Sequence, residues 1–388
     1  MNLFLFTGLL LIIAIYSGRF FRKLRLPVIT GYIIIGFLLG NIPFLSSNLN
    51  PYFSKIAIYV DELALAVISF EMGMEFKIRN LLEIEREIFI ITLVQGSFTY
   101  LVLFTGFKFL LHATTPVALV ISSIGIATAP DVVILILRET NSRNKLAKYL
   151  RGIVTLDDLL TELIFIATIP FVESLIISGT QNMHKFPTVS LVREIILSVV
   201  IAFALGIIFT LISKEFHKLR SLFAITLGMI FVSIGIGLML KIHMIFLLLL
   251  TGIVYTNLTD KQNAMSAVLS QMDAPLFILF LIVNGSALSF KLLFASGIFG
   301  IGFITLRSIG KVGGSYISRI FTKKNISSKI GWALLPQSEI SIFLAILAKA
   351  AIPEYGSTIF STAMSGVIFF ELVGVPILRY VLIHSQKD

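Results

Sequence analysis

Cysteine is absent from this sequence, tryptophan occurs once, and charged residues make up only 13% of the 388 positions. The absence of cysteine excludes disulfide bonds and thiolate metal sites. Soluble domains carry about 25% charged residues, so the low charge content excludes an ordinary soluble domain. No two of the five histidines have the spacing of metal ligands on one helix, and we expect a protein that is not an enzyme.

Long apolar runs dominate what is present, because 57% of the residues are hydrophobic and the mean hydropathy is +0.97. Runs of about 20 residues, each able to cross a ~30 Å hydrocarbon layer, recur from end to end. We predict an all-α polytopic membrane protein with about 13 transmembrane helices, the first of them a span and not a cleaved signal. The predicted spans are 3–18, 27–45, 55–76, 87–111, 115–138, 147–178, 190–213, 219–240, 243–257, 270–289, 292–318, 329–351 and 357–383.

Positive residues are distributed unevenly between the loops that these spans define. Of the 31 Lys and Arg residues, 20 fall in loops after odd-numbered spans and 7 in loops after even-numbered spans. This bias predicts that the loops after odd-numbered spans are cytoplasmic. The protein would then lie in the cell (inner) membrane with its N-terminus outside the cell and its C-terminus in the cytoplasm. The net charge of +10 is then a topology signal, and we expect no nucleic-acid partner.

Short matches between the two halves indicate an internal repeat. The segment "GFLLGN" (36–41) resembles "GIVYTN" (252–257), and "GMEFK" (73–77) resembles "SALSFK" (286–291). Seven spans separate the members of each pair, and an odd number inverts the second half relative to the first. Inverted repeats are typical of secondary transporters.

Span 6 carries Asp157, Asp158 and Glu162, and span 11 carries Arg307 and Lys311. Each such charge costs about 2.5–3.5 kcal/mol at a helix centre, so a partner or a water-filled cavity is expected. At 1.5 Å per residue the aspartates lie roughly 9–10 Å and the lysine about 12 Å from the cytoplasmic side, and the other two residues lie one turn deeper. We predict that Lys311 pairs with one of the two aspartates and that Glu162 pairs with Arg307.

These pairs have two interpretations, a static one and a chemical one. In the static interpretation, ion pairs hold the two helices together, or the aspartates only cap span 6. A permanently charged arginine suits a static ion pair. A buried lysine is drawn towards its neutral form by desolvation and towards its charged form by a carboxylate. It can therefore release a proton when a cation occupies the carboxylate, and two adjacent carboxylates let protons and hard cations compete, as an exchanger requires.

Two spans contain a proline that predicts a broken helix. In "SSIGIATAPDVVILILRE" (122–139), Pro130 removes a backbone donor, so the span is expected to break near Thr128 and Asp131 to begin the second half. In "LPQSEI" (335–340), Gln337 and Glu339 follow a proline in the same way. The alternative is a simple proline kink, but irregular backbone in a membrane usually lines a site.

Together these segments resemble the cation–proton antiporter superfamily, in particular its bacterial sodium/proton and glutathione-gated potassium efflux branches (the monovalent cation:proton antiporter-2 type). The resemblance covers nearly the whole chain. It is carried by "LPVITGYIIIGFLLGN" (26–41), "SFEMGMEFKI" (69–78), "TLDDLL" (155–160), "IGKVGG" (309–314) and "LPQSEI" (335–340).

The resemblance implies two inverted six-helix repeats with two broken, crossing helices, and elevator-like alternating access in a homodimer. Asp158 would bind the ion and the proton with Asp157 beside it, Lys311 would pair with Asp157 and take part in proton coupling, and Thr128 and Gln337 would lie at the crossing. The implied domains are dimerisation helices at 1–86 and 219–290, core helices at 87–180 and 291–388, and a linker helix at 181–218.

The sequence departs from the family pattern at Glu162, where related sodium exchangers have an apolar residue. The sequence contains no nucleotide- or glutathione-sensing domain, so we expect the transport domain only and an exchanger of Na⁺, or of K⁺ or Li⁺, for H⁺. No cofactor is expected beyond the transported ions and the lipid bilayer. The alternatives are a K⁺/H⁺ efflux antiporter without its regulatory domain, a sodium-coupled organic-anion symporter, a channel and a membrane sensor.

Overall fold

The computed structural model describes residues 2–23, 28–79, 85–140, 142, 145–180, 188–216, 218–240, 242, 244–287, 297–322, 329–338 and 340–384. Every regular element within these ranges is helical. The α-helices are α1 (Leu3–Lys23), α2 (Val28–Asn41), α3 (Pro43–Glu75), α4 (Arg86–Thr105), α5 (Thr115–Ile124), α6 (Pro130–Glu139), α7 (Lys145–Thr180), α8 (Thr188–Glu215), α9 (Leu219–Leu240), α10 (Met244–Leu258), α11 (Gln262–Ser286), α12 (Gly297–Phe321), α13 (Ile330–Ala333), α14 (Ile340–Ala351), α15 (Pro353–Phe369) and α16 (Val375–His384).

Six helical segments in the described part of the chain are long and apolar enough to cross a membrane, or up to seven if the helix pair bent at Pro275 counts as one span. Two of the shorter apolar helices, α5 and α14, are halves of broken segments. The chain is thus a multi-pass, all-helical membrane protein, while the count of 13 helices stays a prediction.

The chain divides into two compact units. One comprises Met1–Glu83 and Asn182–Ser289, and the other comprises Ile84–Gln181 and Phe290–Asp388. The segment predicted as a linker helix, 181–218, falls almost entirely in the first unit, which therefore contains α8. Which unit dimerises and which moves stays a prediction.

In the first unit, α2 crosses α11 at points where only glycine fits. A Cβ on Gly36 or Gly40 would overlap the backbone of Ile282 or Ser286, so the helices approach to backbone contact. Close packing through small residues is the usual way in which membrane helices associate. Gly73 of α3 and Gly252 of α10 meet in the same way, so three of the four segments that suggested a repeat contribute a glycine to a crossing.

In the second unit, α4 packs along α12 through a similar pair of glycines. A Cβ on Gly310 would lie 2.8 Å from the Cα of Thr99, and a Cβ on Gly314 would lie 2.8 Å from the Cα of Gln95. This approach brings Gln95 and the neighbour of Gly310, Lys311, to the same level of the unit.

Two segments of the second unit are broken where proline predicted it. Residues 125–129 between α5 and α6 are not helical, and Pro130 is the first residue of α6. In the second segment α13 ends at Ala333, Pro336 lies in non-helical backbone, and α14 begins at Ile340. Proline cannot donate a backbone hydrogen bond and restricts the residue before it, which accounts for both breaks.

Two π-helical segments interrupt the long helices of this unit, and no sequence pattern indicated them. Gly106–Leu110 follows α4, and Phe370–Gly374 separates α15 from α16. Such π segments are rare and often lie at functional sites. The second packs against the break, since a Cβ on Gly374 would lie 3.0 Å from the nitrogen of Pro336.

Candidate functional site

The two breaks touch each other inside the second unit. The amide of Ala129 donates a hydrogen bond to the carbonyl of Pro336 over 3.1 Å, and the hydroxyl of Thr128 lies 3.3 Å from the carbonyl of Leu334. At the end of α5, the hydroxyl of Ser341 donates to the carbonyl of Ile124 over 3.4 Å. Some backbone groups of the first break that have no partner within a helix therefore form hydrogen bonds with the second break, as buried irregular backbone requires.

Asp157 of α7 is fully buried and accepts hydrogen bonds on both carboxylate oxygens. Lys311 Nζ and Thr128 Oγ1 each lie 2.8 Å from its Oδ2, and the Nε2 of Gln95 donates to its Oδ1. The three donors come from α12, the first break and α4. Charge-assisted hydrogen bonds of this kind are stronger than neutral ones, so this carboxylate is held from three directions.

Lys311 is likewise fully buried, and its ammonium has partners in two elements. It forms an ion pair with Asp157 and donates to the hydroxyl of Thr128, again over 2.8 Å. A buried charge is costly unless it is paired and hydrogen-bonded, and here the lysine and the aspartate meet both conditions for each other.

Asp158 follows Asp157 on α7 and faces the second break. Its side chain is 3% exposed, and its Oδ2 accepts a hydrogen bond of 3.1 Å from the hydroxyl of Ser338. The hydroxyl of Ser338 also accepts the amide of Ile340 over 3.2 Å, at the start of α14. The adjacent aspartates thus contact different breaks, Asp157 the first through Thr128 and Asp158 the second through Ser338.

Gln337 lies in the second break, next to Ser338, and is buried. Within the described part of the chain neither the oxygen nor the nitrogen of its amide has a hydrogen-bond partner. Its Oε1 faces Gly366 of α15, where a Cβ would lie 3.0 Å from it. The remaining residues predicted for the breaks are Pro130, which begins α6, and Asp131 and Glu339; the side chain of Asp131 and all of Glu339 lie outside the described residues.

The structure gives Arg307 hydrogen-bond partners that the sequence did not indicate, and its pairing with Glu162 stays a prediction. Among the described residues, the Arg307 guanidinium donates hydrogen bonds to the backbone carbonyls of Gly125, Ala127 and Leu335. Glu162 is fully buried one turn after Asp158, but it is not among these contacts. Matching depth did not indicate these carbonyl partners, because backbone acceptors in broken helices cannot be recognised from the residue types.

Three residues of this region were not predicted from the sequence. Gln95 could have been noticed as an amide inside an apolar span, and Ser338 as a hydroxyl within the second break. Glu371 is a carboxylate in a long apolar segment, 7% exposed and within the second π segment, next to the ring of Phe370 that covers Arg307. Each could have been found by listing polar residues in apolar spans, but their partners could not.

A comparison with protein families decides the class of the protein. The family model described as "Sodium/hydrogen exchanger, transmembrane" matches residues 8–381, nearly the whole chain. The chain belongs to the sodium/hydrogen exchanger family. The resemblance to the cation–proton antiporter superfamily is thereby confirmed, and the class is that of membrane cation/proton antiporters, which are transporters and not enzymes.

Similar proteins agree with this membership of the sodium/hydrogen exchanger family. The chain is 23% identical over 378 residues to the ammonium/H⁺ antiporter subunit AmhT of Alkalihalophilus pseudofirmus, covering 94% of this chain and 92% of that protein. Its fold is similar to that of the sodium proton antiporter MjNhaP1 from Methanocaldococcus jannaschii, at pH 8, with a TM-score of 0.71 and 15% identity over 100% of this chain and 99% of the other. An electron-microscopy structure of the same antiporter gives a TM-score of 0.66 and 16% identity over the same shares.

Proposed function

We propose that this exchanger moves a monovalent cation, Na⁺ in the first place, in exchange for protons across the cytoplasmic membrane, and that the cation and the proton compete for Asp158. The alternating access would be elevator-like and the assembly a homodimer. The N-terminus would lie outside and the C-terminus inside the cell. The division of the chain into two compact units is compatible with such a movement.

The observation that carries the proposal is the buried ion pair of Asp157 and Lys311 directly beside a second buried carboxylate. The pair is neutral as a whole, and both of its members are hydrogen-bonded. Asp158 is a further buried negative charge, and a buried carboxylate is stable when a cation or a proton neutralises it. Because only one of the two can occupy the same oxygens, binding of the cation releases the proton.

The atoms near Asp158 favour hard cations. Carboxylate oxygens and the hydroxyl of Ser338 are oxygen ligands, which suit alkali-metal ions and not soft metals. Na⁺, Li⁺ and K⁺ are therefore all candidates. The similarity to a protein named as an ammonium/H⁺ antiporter subunit adds NH₄⁺ to the ions that need testing.

Lys311 is the residue we assign to proton coupling. Its ammonium faces the titratable carboxylate of Asp157, so a change of charge at the aspartates alters its proton affinity directly. We expect Lys311→Ala to retain cation binding and to weaken the coupling of cation movement to protons.

The test uses acid-loaded proteoliposomes with a luminal pH dye, to which NaCl, LiCl, KCl or choline chloride is added outside. Luminal alkalinisation that saturates with one cation, and is lost in Asp158→Asn, is the expected result. NH₃ crosses bilayers by itself, so NH₄Cl is read as the difference between the wild type and Asp158→Asn. The control variant is Asp260→Asn, which removes an exposed carboxylate and should exchange normally.

Two outcomes would contradict the proposal. Exchange of wild-type rate in Asp158→Asn would remove that residue from the site. No response to any cation, in vesicles that hold folded protein and a pH gradient, would favour the organic-anion symporter or the sensor.

A further inference from the structure

Arg307 is a buried cation that donates its hydrogen bonds, within the described part of the chain, to main-chain oxygens. Its Nε donates to the carbonyl of Gly125 over 3.0 Å, its Nη2 to that of Ala127 over 2.6 Å, and its Nη1 to that of Leu335 over 2.7 Å. These three carbonyls form what we call the carbonyl cluster. Two belong to the first break and one to the second, so a single side chain bridges both.

The carbonyl cluster lies where regular helical hydrogen bonding has stopped. The helix α5 ends at Ile124, and Gly125 and Ala127 follow it in irregular backbone; Leu335 lies between α13 and α14. Carbonyls at the end of a helix have no intrahelical donor and carry the negative end of its dipole. Such carbonyls need a donor when buried, and a cation satisfies both their hydrogen bonding and their partial charge.

An aromatic ring completes the surroundings of the guanidinium. The Cζ of Arg307 lies 4.4 Å from the centroid of Phe370, the first residue of the second π segment. A planar cation with acceptors around its edge and a ring on its face is bound as guanidinium ligands are generally bound. Among the described residues, no hydrogen bond from this guanidinium reaches a carboxylate.

We propose that the carbonyl cluster is a cation-binding site for guanidinium-type ions, and that Arg307 is the tethered cation that fills it and so fixes the spacing of the two breaks. Arg307 is thus a positioning residue. Ala127 directly precedes Thr128, which contacts Asp157, and Leu335 lies three residues before Ser338, which contacts Asp158. This inference rests on the proposed function only where transport is measured, because that measurement requires cation/proton exchange.

The experiment is chemical rescue of Arg307→Ala in proteoliposomes by free guanidinium at millimolar concentrations, far below those that denature proteins. Loss of a charge-assisted hydrogen bond corresponds to roughly a tenfold effect or more, so we expect the half-saturating cation concentration to rise about tenfold and the maximal rate to fall. Guanidinium should restore both, whereas tetramethylammonium, a cation without donors, should restore neither. The wild type controls for competition of guanidinium at Asp158.

A second readout is independent of transport. Thermal unfolding is followed by the fluorescence of Trp332, the single tryptophan, which lies on α13 just before the second break. Guanidinium should raise the midpoint of Arg307→Ala and leave that of Arg319→Ala, changed elsewhere on α12, unaltered. If Arg307→Ala does not fold, Arg307→Lys and Arg307→Gln replace it. The lysine variant should then bind the transported cation more tightly than the glutamine variant and unfold at a higher temperature.

Several results would overturn the inference. These are wild-type exchange in Arg307→Ala, an impaired Arg307→Ala in which guanidinium changes neither rate nor midpoint, and, in the substitute pair, a lysine variant no better than the glutamine variant. If the wild type itself exchanges nothing, the proposed function fails, and the unfolding measurement still tests the cation site.

Discussion

Lys311 and Arg307 lie one turn apart on α12 and are both fully buried, but they have different kinds of partner. Lys311 contacts a carboxylate and a hydroxyl, whereas Arg307 contacts three backbone carbonyls and a ring. A carboxylate can gain a proton or a cation and so change its charge, whereas a carbonyl dipole is permanent. One helix therefore carries one cation suited to chemistry and one suited to architecture.

The largest expected effect is on stability, and it distinguishes Lys311 from Arg307 by the partner that each leaves behind when it is replaced. Lys311→Met leaves Asp157 as a buried charge without its counter-ion and should destabilise the protein by about 3–5 kcal/mol. Adding Asp157→Asn should recover most of this loss, because no uncompensated charge then remains. The same Asp157→Asn should recover much less of the loss in Arg307→Met, since Arg307 donates its hydrogen bonds to carbonyls and is attracted to Asp157 only at longer range.

These four variants are compared by chemical unfolding in detergent, followed by the fluorescence of Trp332. Additive effects of Lys311→Met and Asp157→Asn would show that the two residues are not coupled. Lys311 would then not differ from Arg307 in depending on a carboxylate.

The next effect concerns the packing that brings Lys311 to the site. Gly314→Ala places a methyl group 2.8 Å from the Cα of Gln95, and overpacking of this kind costs about 1–3 kcal/mol. Exchange should fall with stability, because α4 and α12 must separate. Gly297→Ala on the same helix meets no atom within 4 Å and should be almost neutral. Alanine favours the helix more than glycine does, so an equal loss in both variants would show that the contact with Gln95 is not its cause.

Thr128→Val tests the hydroxyl that Lys311 and Asp157 share. Valine keeps the shape but removes one donor and one acceptor, which should cost about 1–3 kcal/mol and slow the exchange. Thr128→Ser keeps the hydroxyl and is expected to retain most of the activity. Rates in proteoliposomes at several pH values are the measurement, and a serine variant as slow as the valine variant would contradict the role of the hydroxyl.

The smallest effect sharpens the description of Arg307. Phe370→Leu removes the aromatic face over the guanidinium, a contribution of about 1 kcal/mol, while the three carbonyl contacts remain. We expect a lower unfolding midpoint and little change in the half-saturating cation concentration. Phe321→Leu, at an exposed ring at the end of α12, is the control, and the same drop in both variants would exclude a specific contact.

Much of the fold could be predicted because its causes are visible in the residues. Apolar length indicates spans, and Pro130 and Pro336 mark backbone that cannot continue as a helix. Opposite charges at similar depth brought Asp157 and Lys311 to attention, because buried charges require partners. The method did not work for Arg307, whose partners are main-chain atoms, or for the two π segments, which follow from tertiary packing.

The hydrogen bond from the amide of Ala129 to the carbonyl of Pro336 also has a consequence for time-resolved experiments. An amide bonded across two breaks exchanges its hydrogen for deuterium only when the breaks separate. If the breaks travel together through each transport cycle, this single amide will stay protected however fast the protein turns over. The deuterium-exchange rate of the Ala129 amide therefore reports how often the two breaks separate, independently of the transport rate.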